Sequence, residues 1–158
     1  MNIDPYKKEL LYRKAQEKKI LSAFEKKISG LFLDRHLKKL RLNLPETDRI
    51  INFIRSLHVT QCIEKTYTSL SDCFGFVSAE IEEREFYVLV DEDWKYCGAV
   101  LVGSGGTLNC NFNFDDNTSD ELRFILADFS TQITVDYVQG SGECLYECSI
   151  KRYMRPNI

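Results

Sequence analysis

Histidine is nearly absent: His36 and His58 are the only two, and they are too far apart to form an i, i+4 pair. That excludes the paired-histidine zinc motif and leaves any general acid–base work to carboxylates. Three prolines and eight glycines in 158 residues are too few for a collagen-like or low-complexity chain. No apolar run approaches the ~18–20 residues of a membrane span. The opening stretch MNIDPYKKELLYRK scatters charge throughout and has no apolar h-region, so the expected location is the cytosol. Phosphate-loop, dinucleotide and Gly-x-Ser-x-Gly motifs are also missing. Of the two glycine-rich stretches, GSGG at 103–106 lacks the lysine and Ser/Thr of a phosphate loop, as does GSGE at 140–143. Both read as hairpin turns.

Six cysteines are present: Cys62, Cys73, Cys97, Cys110, Cys144 and Cys148. With 44% hydrophobic residues the chain should fold as one domain without staples, so reduced thiols acting as small hydrophobes are expected. Cys144 and Cys148 resemble a ligand pair, but four residues along a strand separate their Cα atoms by about 13 Å, beyond the reach of zinc–sulfur bonds. No metal or other cofactor is expected. In a cytosolic chain the Asn117-Thr118-Ser119 sequon carries no glycan.

Charge is plentiful but divided. Residues 1–60 carry 14 Lys/Arg and 7 Asp/Glu, a net +7, whereas residues 61–158 carry 7 and 17, a net −10. The single domain, 1–158, thus has a basic part (1–60) that reads as helical and an acidic part (61–158) that reads as mainly β. Asp4-Pro5 looks like an N-cap and first helical residue, followed by apolar positions at helical spacing from Leu10 to Ile28 and a stop near Gly30. A second helix is expected over 31–42, with Leu33, Leu37 and Leu40 on one side. A third starts near Pro45 and buries Ile50, Ile51, Phe53, Ile54 and Leu57.

From about Phe74 the period changes to two. FGFVSAEIEE, EFYVLV, WKYCGAVLVG and TLNCNFNF read as successive strands. The last is the clearest, with Leu108, Cys110, Phe112 and Phe114 alternating with Thr107 and three asparagines. A hairpin through GSGG would set Cys97 opposite Phe112 and Ala99 opposite Cys110, with both thiols on the core face. TSDELRFILADFS has capping-box spacing between Thr118 and Glu121 and a stripe of Leu122, Ile125, Leu126 and Phe129, which predicts an inserted helix near 119–130; a strand is the alternative. TQITVDYV and CLYECSIKRY form a closing hairpin around 139–142. The expected fold is α+β: an N-terminal helical layer of about three helices packed on a mostly antiparallel sheet of about six strands. Open sheet edges would leave room for homodimerisation.

The acids concentrate the functional question. Asp91, Glu92 and Asp93 adjoin the only tryptophan, Trp94, and an antiparallel meander returns Asp115 and Asp116 to the same end, with Asp120 and Glu121 nearby. The only cation in these stretches is Lys95. Two functions suit such a patch besides a plain solvated turn, and a third suits the basic half. The leading one is a non-catalytic protein-binding surface for a basic partner, with Trp94 as anchor, as in an inhibitor or immunity-type protein that covers a nuclease toxin. The second is a carboxylate-based, Mg²⁺-dependent hydrolase or phosphoryl-transfer enzyme, although no D-x-D-x-D-G loop supports a cation site. The third uses the other half: Lys7, Lys8, Lys14, Lys18, Lys19, Lys26 and Lys27 could meet nucleic-acid phosphates, but Glu9, Glu17 and Glu25 are interleaved with them.

Overall fold

A computed structural model of the protein describes residues 4–34, 36–140 and 142–154. Its elements, in chain order, are α1 (Pro5–Leu31), β1 (Lys39–Arg41), α2 (Leu44–Ser56), β2 (Val59–Tyr67), α3 (Leu70–Ile81), β3 (Phe86–Val90), α4 (Trp94–Cys97), β4 (Val100–Val102), β5 (Glu121–Leu126), β6 (Thr131–Gln139) and β7 (Cys144–Tyr153). The seven strands form one open sheet in the order β1-β4-β3-β5-β6-β7-β2, antiparallel at every step. The α+β class holds, with one strand more than expected. Among the described residues no helix is long and apolar enough to cross a membrane.

The central strands are covered on both faces. Alternation in β3 sends Phe86, Val88 and Val90 into a large cluster that also takes Phe24, Ile28 and Leu31 from α1 and Cys73, Phe74, Val77 and Ile81 from α3. Leu89 points the other way, and with Ile125 and Trp94 it packs under Ile50, Ile51 and Ile54 of α2. The helices therefore do not make one N-terminal layer; they divide between the two faces. Each fully buried Leu, Ile or Phe contributes roughly 1.5–3 kcal/mol by leaving water.

Local chemistry explains the helix starts. Asp4 caps α1 by accepting from the Tyr6 amide at 3.1 Å, and Pro5 follows. Asn43 caps α2, its Oδ1 accepting from Glu46 N and its Nδ2 donating to Glu46 Oε1, both at 2.8 Å. Ser69 accepts from Asp72 N at the head of α3.

Five stretches depart from the sequence expectation. The helix expected over 31–42 is absent among its described residues, and Arg35 lies outside them. Phe32 turns extended and bridges to Leu108, while Leu33 and Asn109 exchange backbone bonds with Thr107 and Leu31; the chain then runs into edge strand β1. FGFVSAEIEE is helical: Cys73, Phe74, Val77 and Ile81 recur at the spacing of one helix face. WKYCGAVLVG is split, because one helical turn, α4, ends at Gly98 (φ 83°) before β4 begins; a Cβ there would collide with the Leu42 carbonyl oxygen.

TLNCNFNF, for all its alternation, joins no strand. Its asparagines satisfy backbone groups locally: Asn109 Oδ1 accepts from Asn111 N, and Asn113 Oδ1 accepts from Asp115 N and Asp116 N. Such Asx turns compete with a ladder. Leu108, Phe112 and Phe114 still plug the core, but Cys110 is exposed, so the hairpin pairing with Cys97 and Ala99 does not form. Finally, 119–130 holds strand β5 and no helix. A central strand buried on both faces has a continuous apolar run, and Leu122, Phe124, Ile125 and Leu126 mimic a helical stripe. Strand β2, absent from the sequence reading, is an edge strand with only Ile63 and Tyr67 packed inward. The closing hairpin is present as β6–β7, with Gly140 N bonded to Glu143 O at 2.9 Å; Ser141 lies outside the described residues.

Candidate functional site

β3 ends and β5 begins at the same end of the sheet, since Val90 pairs with Leu122. The turn Asp91–Asp93 leaves β3 there, and Asp120 and Glu121 enter β5 beside it. Asp91 adopts φ 46°, a left-handed conformation uncommon for a residue with a side chain. The geometry is held by its carboxylate. Oδ1 accepts from Asp120 N at 2.6 Å and Glu121 N at 2.8 Å, and Oδ2 accepts from Ser119 Oγ at 2.8 Å. Asp91 is thus the pin that joins two neighbouring strand ends.

The cation at this site is Lys27, which the sequence reading did not place there. Its Nζ donates to Asp91 Oδ2 at 3.1 Å, to Asp93 Oδ2 at 2.9 Å and to the Thr118 carbonyl at 3.3 Å. It is only 8% exposed. Burial works against its charge, but the hydrogen bonds to Asp93 and Asp91 outweigh burial and hold its pKa above the ordinary lysine value. A signal for it existed: Phe24, Lys27, Ile28 and Leu31 follow i, i+3, i+4, i+7 spacing, which puts a lysine on the apolar stripe of α1.

Trp94 is no exposed anchor. It is 8% exposed and packs with Ile51, Leu89 and Ile125. The Arg123 guanidinium lies 5.5 Å from its ring centroid and the Lys95 ammonium 5.9 Å. The indole faces the sheet because α4 coils the chain back at Trp94; in a strand, alternation alone would have decided its facing.

Asp115 and Asp116 occupy a turn held by Asn113. Asp115 accepts from Tyr137 Oη and Gln139 Nε2, both at 2.8 Å, in the last three residues of β6. This turn lies at the same end of the sheet as Asp91, shifted sideways toward β6 and β7. The site therefore has two parts. Asp91, Asp93 and Trp94 are internal framework, whereas Glu92, Asp115, Asp116 and Asp120 are exposed.

Strand register adds two acids that the sequence reading missed. Glu121 pairs with Asp136, and Asp136 with Glu147, so three carboxylates stand abreast on the sheet face opposite α3. Like charges directly opposite are unfavourable. Glu121 shows it: burial first, then Asp136, raise its pKa, against the lowering effect of Arg123. The signal lay in TVDY and YECS, where one acid interrupts each strand at a position only pairing could align.

A cleft of about 460 Å³ opens between the turn and β5, lined by Lys27, Asp91, Trp94, Asp120, Glu121 and Arg123. Among the described residues no three His, Cys, Asp or Glu side chains assemble into a metal-holding group. Asp91 and Asp93 have Lys27 where a cation would stand. Comparison with protein-family models, with curated proteins and with solved structures produced no match.

Proposed function

We propose that this protein is a non-catalytic binding module that presents the acidic end of its sheet to a basic protein, in the manner of an inhibitor or immunity-type protein covering a cationic toxin such as a nuclease. The observation that carries the reading is the row Glu121–Asp136–Glu147. Aligned like charges work against folding, so their grouping calls for a role outside the fold. Glu92, Asp115, Asp116 and Asp120 extend the same negative surface around the exposed turns. Enzyme active sites that hold phosphate are basic, and an acidic cover both speeds encounter and matches them in charge.

The half-buried framework acids serve this surface indirectly. Lys27 bridges Asp91 and Asp93 and so fixes the turn that displays Glu92. With Trp94 internal, the apolar contact moves to Val138, which is exposed and pairs with Leu145 on the face that carries the acid row.

The test is capture of the partner from native lysate at low ionic strength, followed by titration of the purified pair. Combining E92Q, D116N, D120N and E147Q, none of them in the framework, should weaken binding by at least about a hundredfold and flatten its salt dependence. Unchanged affinity in that variant would remove the reading.

A further inference from the structure

On the face that carries the acid row, the sheet changes sign further along its strands. Where the last turn of α2 leaves the sheet, a cleft of about 330 Å³ opens over β5, β6 and β7. Its polar wall is Arg55, Arg123, Gln132, Lys151 and Tyr153, its apolar wall includes Ile54 and Leu57, and no carboxylate lines it. Register explains the convergence. Arg123 pairs with Thr134, and Gln132 pairs with Lys151, so Arg123 and Lys151 flank β6 on one face, one pair out of step. Two strand spacings and two residues put their Cα atoms roughly 12 Å apart, close enough for two long side chains to meet over Gln132. Arg55 reaches the same space from α2.

These donors are unspent. Among the described residues Arg55, Gln132, Lys151 and the Tyr153 hydroxyl have no hydrogen-bond or ion-pair partner. Arg123 Nε lies 3.0 Å from Glu121 Oε1, yet off the N–H direction, so it is attracted without being hydrogen-bonded. The plainest alternative is that the cations offset the carbonyl end of α2. That end carries only about half a negative charge, against two full positive ones, on Arg55 and Lys151, left after Glu121 offsets Arg123.

We propose that this cleft binds a small organic phosphate monoester. Every polar group in its wall can donate a hydrogen bond, which suits a dianion with three acceptor oxygens; guanidinium groups match phosphate two bonds at a time. The volume suits a small ligand, and Ile54 and Leu57 offer a surface for its carbon body. The site adjoins the acidic end, with which it shares Arg55 and Arg123, but it does not depend on the binding of a basic protein.

The test uses phenyl phosphate, titrated into the full chain at low salt and followed by calorimetry and by Trp94 fluorescence. Trp94 is the only tryptophan, and Arg123 lies over its ring, so engaging that guanidinium should alter its emission. The expected result is saturable binding with an emission change, weakened about tenfold by R55Q and by K151Q, as for one lost charge-assisted bond each, and unaffected by K14Q on α1. Inorganic phosphate should bind more weakly than phenyl phosphate, and benzyl alcohol not at all. No saturable signal up to about 10 mM, or an equal loss in K14Q, would overturn the site. Equal affinity for inorganic phosphate would overturn the ester.

Discussion

Lys27 shows most plainly how one residue can hold a site together while looking out of place in the sequence. It sits on the apolar stripe of α1, and its charge is stable there only because Asp91 and Asp93 meet it. Replacing it with Met keeps the helix and the volume but strands two carboxylates. K27M should therefore lose about 3–5 kcal/mol, the usual result of breaking one side of a buried ion pair. Urea unfolding at neutral pH measures it. Because the folded-state pKa of Lys27 is raised, its contribution is complete below the ordinary lysine value and fades as pH climbs through the folded value. On the alkaline side, the gap between wild type and K27M should accordingly narrow only in strong alkali. Glu92, between the two framework acids, points outward and should tolerate change with little effect on stability.

At the scale of elements, α1 is too long to be held by its core stripe alone. Its first half is clamped to α2 instead. Arg13 donates to Asp48 from both Nη atoms, at 2.8 and 3.0 Å, and Tyr6 Oη donates to the same carboxylate at 2.6 Å. Arg13 Nε also reaches the Lys95 carbonyl in α4. Burial opposes the charge on Asp48, but Arg13 and Tyr6 more than compensate and hold its pKa below the ordinary carboxylate range. A depressed acid stabilises the fold above its unfolded value of about 3.9, and this is lost as pH falls through the folded value. D48N should therefore lower the melting temperature at pH 7 and converge with wild type in strong acid; an equal deficit at both pH values would contradict the clamp.

Two of the misread elements share one cause at this scale. Period alone does not separate a doubly buried strand from a helix, and β5 and α3 exchanged appearances for that reason. Segment 107–114 had the period of a strand and the turn chemistry of asparagine. The side chains had the backbone amides within reach, and the local bonds won.

Over the whole molecule charge is also sorted along one sheet face: acids at one end of β5–β7, and Arg55, Arg123 and Lys151 toward the other. Both regions lie where α2 leaves the sheet uncovered. Such an arrangement should sacrifice stability. Burial and Asp136 raise the pKa of Glu121, so its contribution to folding is best below the unfolded value and declines as pH rises through the folded one. E121Q should thus melt at or above wild type at pH 7.5, by no more than about 1 kcal/mol after solvent screening, and lose that advantage near pH 4. A variant that gains stability while losing affinity for a basic partner would tie the acid row to binding. A variant that loses both would make the row structural.

Read alone, the sequence determined the α+β class, the helix cap at Asp4, the antiparallel closing hairpin and the opposite charges of the two halves. These follow from contacts within a few residues or from composition, which chain folding does not alter. Tertiary structure decided which acids are free and which are framework, because Lys27 meets Asp91 across 64 residues. It also set the Glu121–Asp136–Glu147 row and the facing of Trp94. Strand register and the burial of a side chain are properties of partners distant in sequence, and only the packed chain specifies them.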